Sequence, residues 1–338
     1  MPRKLRTLLL TLVAVVVLAL VALIALTVSR PPPLPPLPNP NGYDTFIQAD
    51  KLLGNLGNET VNTTWEMEFE RLRGFIATNA EPVRLMQLGL SQTCSVPTLE
   101  VLTNLAQRYN YAPNRLAQFW FNAGRLAEWE GRTNDAARIY TEGICFATKI
   151  NHGGFLFYAW SSCVCESFPS RALARLVPTL DCEQARKLIA TLEQCDQNAA
   201  SWDEVWSNEK RFLRHELRKP FTPLECVQFL VSLRVNREFR FTHYAVTARR
   251  RLILTELALR CYQAEKAQPP RQLAQLVPKY LQRVPQDPFS SQPLIYRPQT
   301  TNWLLYSVGP DGKDDGGRPM SGIMRNPPPP GDVFFNSR

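Results

Sequence analysis

The stretch that most constrains this chain is LLLTLVAVVVLALVALIALTV, Leu8 to Val28. It carries no charge, and about twenty such residues are enough to cross the hydrocarbon core of a bilayer as a helix. Only Thr11 and Thr27 interrupt its apolar character, and a helix satisfies a hydroxyl by bonding it back to its own carbonyls. Arg3, Lys4 and Arg6 precede the run, and the positive-inside rule keeps such a patch in the cytoplasm. The expectation is an uncleaved signal anchor, a single-pass transmembrane helix with the bulk of the chain extracytoplasmic (periplasmic) at a bacterial inner membrane. The competing reading is a cleaved signal peptide, whose apolar region is usually about 7–15 residues and ends at a small-x-small site. Ala25-Leu26-Thr27 is a poor site of that kind.

The residues then divide into five parts: a basic cytoplasmic tail over 1–7, the anchor over 8–28, a proline-rich linker over 29–42, a helical domain over 43–242 and an α+β module over 243–338. RPPPLPPLPNPNG reads as a polyproline II spacer of about 3 Å per residue. A recognition motif for a proline-binding module is the alternative.

The formal charge is +9, carried mostly by scattered arginines. That fits a solvated surface. Nucleic-acid binding would need a basic stripe interleaved with aromatics, and Arg249-Arg250-Arg251, read as opening a helix, lacks that setting. No nucleic-acid partner is expected. Eight cysteines permit disulfides in an oxidising compartment, but their spacings pair none of them. Cys163-x-Cys165 is neither a zinc nor a thioredoxin pattern.

From Tyr43 to about Arg240, apolar residues recur at three and four, as helices require. Pro97, Pro113, Pro169, Pro178, Pro220 and Pro223 fall between the periodic runs. Asn58 and Asn62 open glycosylation sequons, which arise easily by chance. In APNRLAQFWFNAGRLAEWEGRTNDAARIYTEGICFATK, Trp120, Gly124, Gly131, Ala136, Tyr140 and Gly143 are spaced like a single tetratricopeptide repeat. An ordinary antiparallel helix pair is the other reading. Asp181 should cap one helix, and Ser201 with Glu204 makes a capping box for the next. Asp203, Glu204, Glu209 and Glu216 lie among cations at helical spacing and read as solvated ion pairs. His152 reads as a helix-terminal histidine that contacts the last carbonyls.

Beyond the helices, LIYR and WLLYSV are short strand-like runs separated by turn residues. The succession YQAEKAQPP, LVPKYL, VPQDPF and YSVGPDGKDDGG…GDVFF resembles the soluble domain of type II secretion major pseudopilins over roughly residues 243–335. The rest of the chain is similar to membrane-anchored proteins of planctomycete-type bacteria. The pseudopilin resemblance implies a helix on a small antiparallel sheet and a calcium ion in the following loop. Carried over, Asp311 and Asp332 match the family's ligands, and Asp314 and Asp315 are additional candidates. Calcium takes six to eight oxygens from carboxylates and carbonyls. The insert RPMSGIMRNPPPP, and the lack of a Gly-Phe processing start and of an early glutamate, depart from the family.

The overall expectation is a mainly α chain: a transmembrane helix, an irregular, partly tetratricopeptide-like helical domain, then a small α+β pseudopilin-like module. No nucleophile elbow, phosphate-binding loop or zinc pattern is present, so no catalytic constellation is assigned. The leading functional reading is a membrane-anchored scaffold or interaction protein with protein partners, associated with a secretion or pilus-like assembly. A peptide- or glycan-binding helical array and a hydrolase with a site assembled from distant residues are the alternatives.

Overall fold

The computed structural model describes residues 11–16, 18–19, 35–54, 65–98, 112–216, 223–320 and 328–336. Their elements, in order, are α1 (Gly42–Leu52), α2 (Trp65–Thr78), α3 (Ala80–Ser91), α4 (Ala112–Trp129), α5 (Thr133–Lys149), α6 (Leu156–Leu176), α7 (Cys182–Gln197), α8 (Trp202–Glu216), α9 (Pro223–Lys266), β1 (Ile295–Pro298) and β2 (Trp303–Tyr306). The described chain is thus mainly helical, with one short antiparallel hairpin.

Among the described residues, no helix is long and apolar enough to cross a membrane. This corrects the expected transmembrane anchor over 8–28, and with it the single-pass membrane partner and the inner-membrane placement. Within that run the structure describes only residues 11–16 and 18–19. The longest described helix is ruled out by its charge. α9 has 44 residues, but Arg240, Arg249, Arg250, Arg251 and Arg260 break up its apolar character. The basic tail, most of the anchor, the start of the linker and both sequons lie outside the described residues, as do the side chains of His215, Glu216 and Cys226.

Local rules account for much of the helical array. Asn41 caps α1 by accepting from the Tyr43 N–H, and it also bonds both the N–H and the C=O of Ser95. Asp181 caps α7 by accepting from the Gln184 N–H at 2.8 Å. Ser201 caps α8 through the Glu204 N–H, but the Glu204 carboxylate bonds the Gly153 N–H instead of closing a capping box.

α4 and α5 are joined by Glu130, Gly131 and Arg132, with Gly131 at φ +73. A Cβ at Gly124 would lie inside the Tyr140 ring, so only glycine permits this approach. Trp120 fills the space beside it, its ring 4.7 Å from that of Phe146.

Proline behaves differently from expectation at several positions. Pro113 and Pro223 lie in the first turns of α4 and α9, where the missing N–H costs nothing. Pro169 lies inside α6 rather than between helices. It is buried, and it packs on Gly143 of α5. Tertiary contact there outweighs the lost backbone bond.

Among the described residues two large apolar cores result, beside a small cluster of Leu156, Ala159, Ala200 and Val205. One joins Tyr43, Phe46, Trp120, Phe146 and Tyr158 from α1, α4, α5 and α6. The other runs from Tyr140 and Leu173 through Leu192 and Leu257 to Leu305 and Val333. It crosses the 242/243 boundary, which itself falls within α9. β1 pairs with β2 from Ile295↔Tyr306 to Pro298↔Trp303, and the Trp303 indole donates to Glu256 of α9 at 2.8 Å. A disulfide, Cys145–Cys195, ties α5 to α7.

Candidate interaction surface

α6 is apolar on nearly all sides. Its inner face buries Tyr158, Ala159, Cys163, Cys165, Ala172 and Leu173. Its outer face carries Trp160 and Phe168, which are 39% and 50% exposed. Phe157, Trp160, Val164, Phe168, Arg171 and Arg175 follow one another at spacings of three or four, and so share one face.

The N-terminal end of α6 is pinned by α8. The Gly153 N–H donates to Glu204 at 3.1 Å, the Leu156 N–H to Glu209 at 3.0 Å, and Asn208 donates to the Gly154 carbonyl at 3.0 Å. Burial pushes the Glu209 carboxyl up to about 7, with the Leu156 N–H opposing. His152 contacts Glu204 and the Asn198 carbonyl, which follows α7 rather than ending His152's own helix. Of the four carboxylates read as solvated, Glu204 and Glu209 therefore hold the turn into α6.

The stripe continues sideways onto α4 and α2. Phe168 lies 5.7 Å from Phe121, and Phe157 lies 6.3 Å from Trp160. Arg125 sits 4.5 Å over Trp129, Trp129 is 6.2 Å from Phe69, and Arg73 sits 5.0 Å over Phe69. Aromatics and arginines thus alternate across three helices. Most of these arginines are already matched by carboxylates: Arg125 by Glu68, Arg175 by Glu128, and Arg73 by Glu70 and Glu130. Such a surface is amphipathic, not strongly positive, and does not offer the unmatched cations that phosphate backbones need. Arg171 has no carboxylate partner among the described residues. It lies close enough to Arg249 that, after burial, it is the next cause lowering that guanidinium to about 10.

The aspartates singled out from sequence lie elsewhere. Asp332 is fully buried and accepts from the Asp315 N–H at 3.3 Å and the Gly317 N–H at 2.8 Å. Asp315 accepts from the Gly331 N–H at 2.7 Å. Asp314 accepts from the Tyr306 hydroxyl, the Gly316 N–H and Arg297, which together hold its carboxyl below the usual range. Asp311 accepts only within its own turn, from the Lys313 N–H.

Three of the four are therefore brought together, and Asp311 is not. Their oxygens are engaged by backbone N–H groups. Among the described residues, no group of three or more His, Cys, Asp or Glu converges to hold a metal. As arranged, the set forms a hydrogen-bonded turn lock. Asp287 escaped the sequence reading, yet it is fully buried and accepts from the Ser307 hydroxyl and the Phe289 and Val308 N–H groups. The signal was present as Asp-Pro in QDPF, a turn-forming pair.

A buried ion network was also not legible. Arg250 donates to both oxygens of Glu166, at 2.7 and 2.8 Å, and reaches Asp196 at 3.0 Å. Arg251 donates to Asp196 at 2.9 Å and to the Gln286 carbonyl at 2.8 Å. This cluster sits well inside α9 rather than at a helix start. Both carboxylates are matched by cations, which argues for a structural clamp between α6, α7 and α9 instead of an acid–base pair. Comparison with protein-family models, curated proteins and solved structures finds no match for this chain.

Proposed function

We propose that this chain is a scaffold or interaction protein whose α6 stripe docks an apolar peptide segment of a protein partner. The observation that carries the reading is the exposure of Trp160 and Phe168 on a face that also presents Phe157 and Val164. Contiguous apolar surface rimmed by charge marks interaction sites, and aromatics with arginine dominate the energetics of such interfaces. Arg171, at the end of the stripe, suits a carboxylate on the docked segment. The helical spacing of the stripe suits a partner helix with apolar residues at matching intervals.

We propose further that residues 243–335 form a pseudopilin-like module, so that the partner belongs to a secretion or pilus-like assembly. What supports this is the order of elements: the end of α9, the β1–β2 hairpin, and a return through Asp332 that bridges to Pro319 while Val333 bridges to Ser307.

The test is selection of binders from a random peptide library on the full chain, followed by titration calorimetry. Enriched peptides should carry apolar residues at helical spacing followed by Asp or Glu. Replacing both Trp160 and Phe168 by alanine should weaken binding at least about tenfold, which is about 1.4 kcal/mol, at an unchanged melting temperature. Failure to enrich any sequence, or peptides indifferent to the double substitution, would refute the docking role.

A further inference from the structure

α7 carries two cysteines, Cys182 at its first position and Cys195 near its end. Thirteen residues at about 100° each place them on roughly opposite sides of the helix, about 20 Å apart along its axis. Cys195 is already bonded to Cys145 of α5. Cys182 faces α9, where the Cys182 thiol lies 3.8 Å from the Cys261 carbonyl and the Cys261 thiol 3.7 Å from the Cys182 carbonyl. Each thiol is thus set against the backbone of the other cysteine, across the α7–α9 contact. Four residues beyond each cysteine, Arg186 and Glu265 form an ion pair that holds the two helices together at this point.

No other described free cysteine is placed this way. Cys94 is buried beside Lys149, Cys165 bonds Asn114 and the Pro113 carbonyl, and Cys163 is buried against Glu166 and Arg250. Among the described free cysteines, only the pair at 182 and 261 sets a half-exposed cysteine against a second, buried one, each thiol reaching the other's carbonyl.

We infer that Cys182 and Cys261 are an exchange site that closes into a second disulfide when the chain meets a disulfide oxidant, either a small-molecule disulfide or that of a thiol–disulfide oxidoreductase. The half-exposed Cys182 is the entry point. Its thiolate attacks one sulfur of the incoming disulfide, forming a mixed disulfide and expelling one thiolate. The Cys261 thiolate then attacks the Cys182 sulfur and expels the second. The protons of the two cysteines pass to the two leaving thiolates, so one disulfide is reduced to two thiols as one is made. The order is fixed by access: Cys261 is buried, and burial, followed by the neighbouring Cys182, pushes its thiol up to about 12, which makes it a poor first nucleophile. Closure fastens α7 to α9 at one end as Cys145–Cys195 fastens it to α5 at the other. The helical array and the C-terminal segment that follows α9 are then linked covalently through one helix.

The test uses the full-length chain. Native protein is incubated with oxidised glutathione, denatured without reduction, blocked with N-ethylmaleimide, digested and mapped by mass spectrometry. A peptide joining Cys182 to Cys261 is expected beside that joining Cys145 to Cys195, with the maleimide on Cys94, Cys163 and Cys165. In Cys261→Ser, glutathione should stay on Cys182, because no second thiol is there to expel it. Maleimide on both Cys182 and Cys261 of the treated wild type would overturn the inference. So would a stable glutathione adduct on wild-type Cys182, or a link from either residue to Cys226. If Cys261→Ser does not fold, the wild-type map decides alone.

Discussion

Replacing Arg250 by methionine keeps most of the side-chain stem and removes the guanidinium. Glu166, only 3% exposed, then loses both of its charge-assisted bonds. Asp196 keeps Arg251, so one carboxylate is stranded, not two. Breaking a buried pair from one side costs about 3–5 kcal/mol, because the partner is left desolvated and uncompensated. With a single stranded group we expect about 3–4 kcal/mol, read as a fall in urea midpoint at constant slope.

The pH dependence gives a second, sharper readout. In the wild type, burial pushes Glu166 up from 4.5 while Arg250 pulls it back. Without Arg250 the upward pushes of burial and of Asp196 remain, opposed by Arg249 alone, so the carboxyl moves further up. The folded variant then takes up a proton that its unfolded chain releases, so its stability rises as pH falls from 7 toward 5. Asp196 behaves oppositely. Burial alone would raise it, but Arg250 and Arg251 override that and hold it below 3.8, so its contribution is present above that value and lost only in stronger acid. The difference between variant and wild type should therefore shrink between pH 7 and pH 5. A deficit below about 1 kcal/mol, or one that does not change with pH, would refute the reasoning.

Two further outcomes are expected. Glu209 has a folded value of about 7 against 4.5 for the free group, so wild-type stability should fall as pH rises from 4.5 to 7, by on the order of 3 kcal/mol in full; Glu209→Gln should flatten that part of the urea-midpoint profile, and an unchanged slope would mean that the carboxyl is not desolvated. Asp332→Ala should cost about 1–3 kcal/mol by thermal unfolding, with or without chelator, because the Asp315 and Gly317 N–H groups lose their acceptor; a loss seen only with added Ca²⁺ would instead place a cation in that loop.

Features set by short stretches of chain were legible in the sequence. The Asp181 and Ser201 caps depend on donors three residues away. The α4–α5 hairpin follows from Gly124, Gly131 and the apolar period. The strands follow from LIYR and WLLYSV between turn residues. Each is a local preference whose cost and gain fall within one or two turns.

The tertiary structure decided what distance and environment control. Glu166 and Arg250 are 84 residues apart, and Cys145 and Cys195 are 50 apart, so no spacing rule could pair them. Pro169 was read as a break because its local cost is real, and it stays in α6 because Gly143 leaves room to bury its ring. Nor could periodicity find the exposed stripe on α6. α6 is apolar on almost every side, and which side meets water was settled only by where α4, α5, α8 and α9 pack against it. The exposed face is left over from packing, and a single helix carries no record of its neighbours.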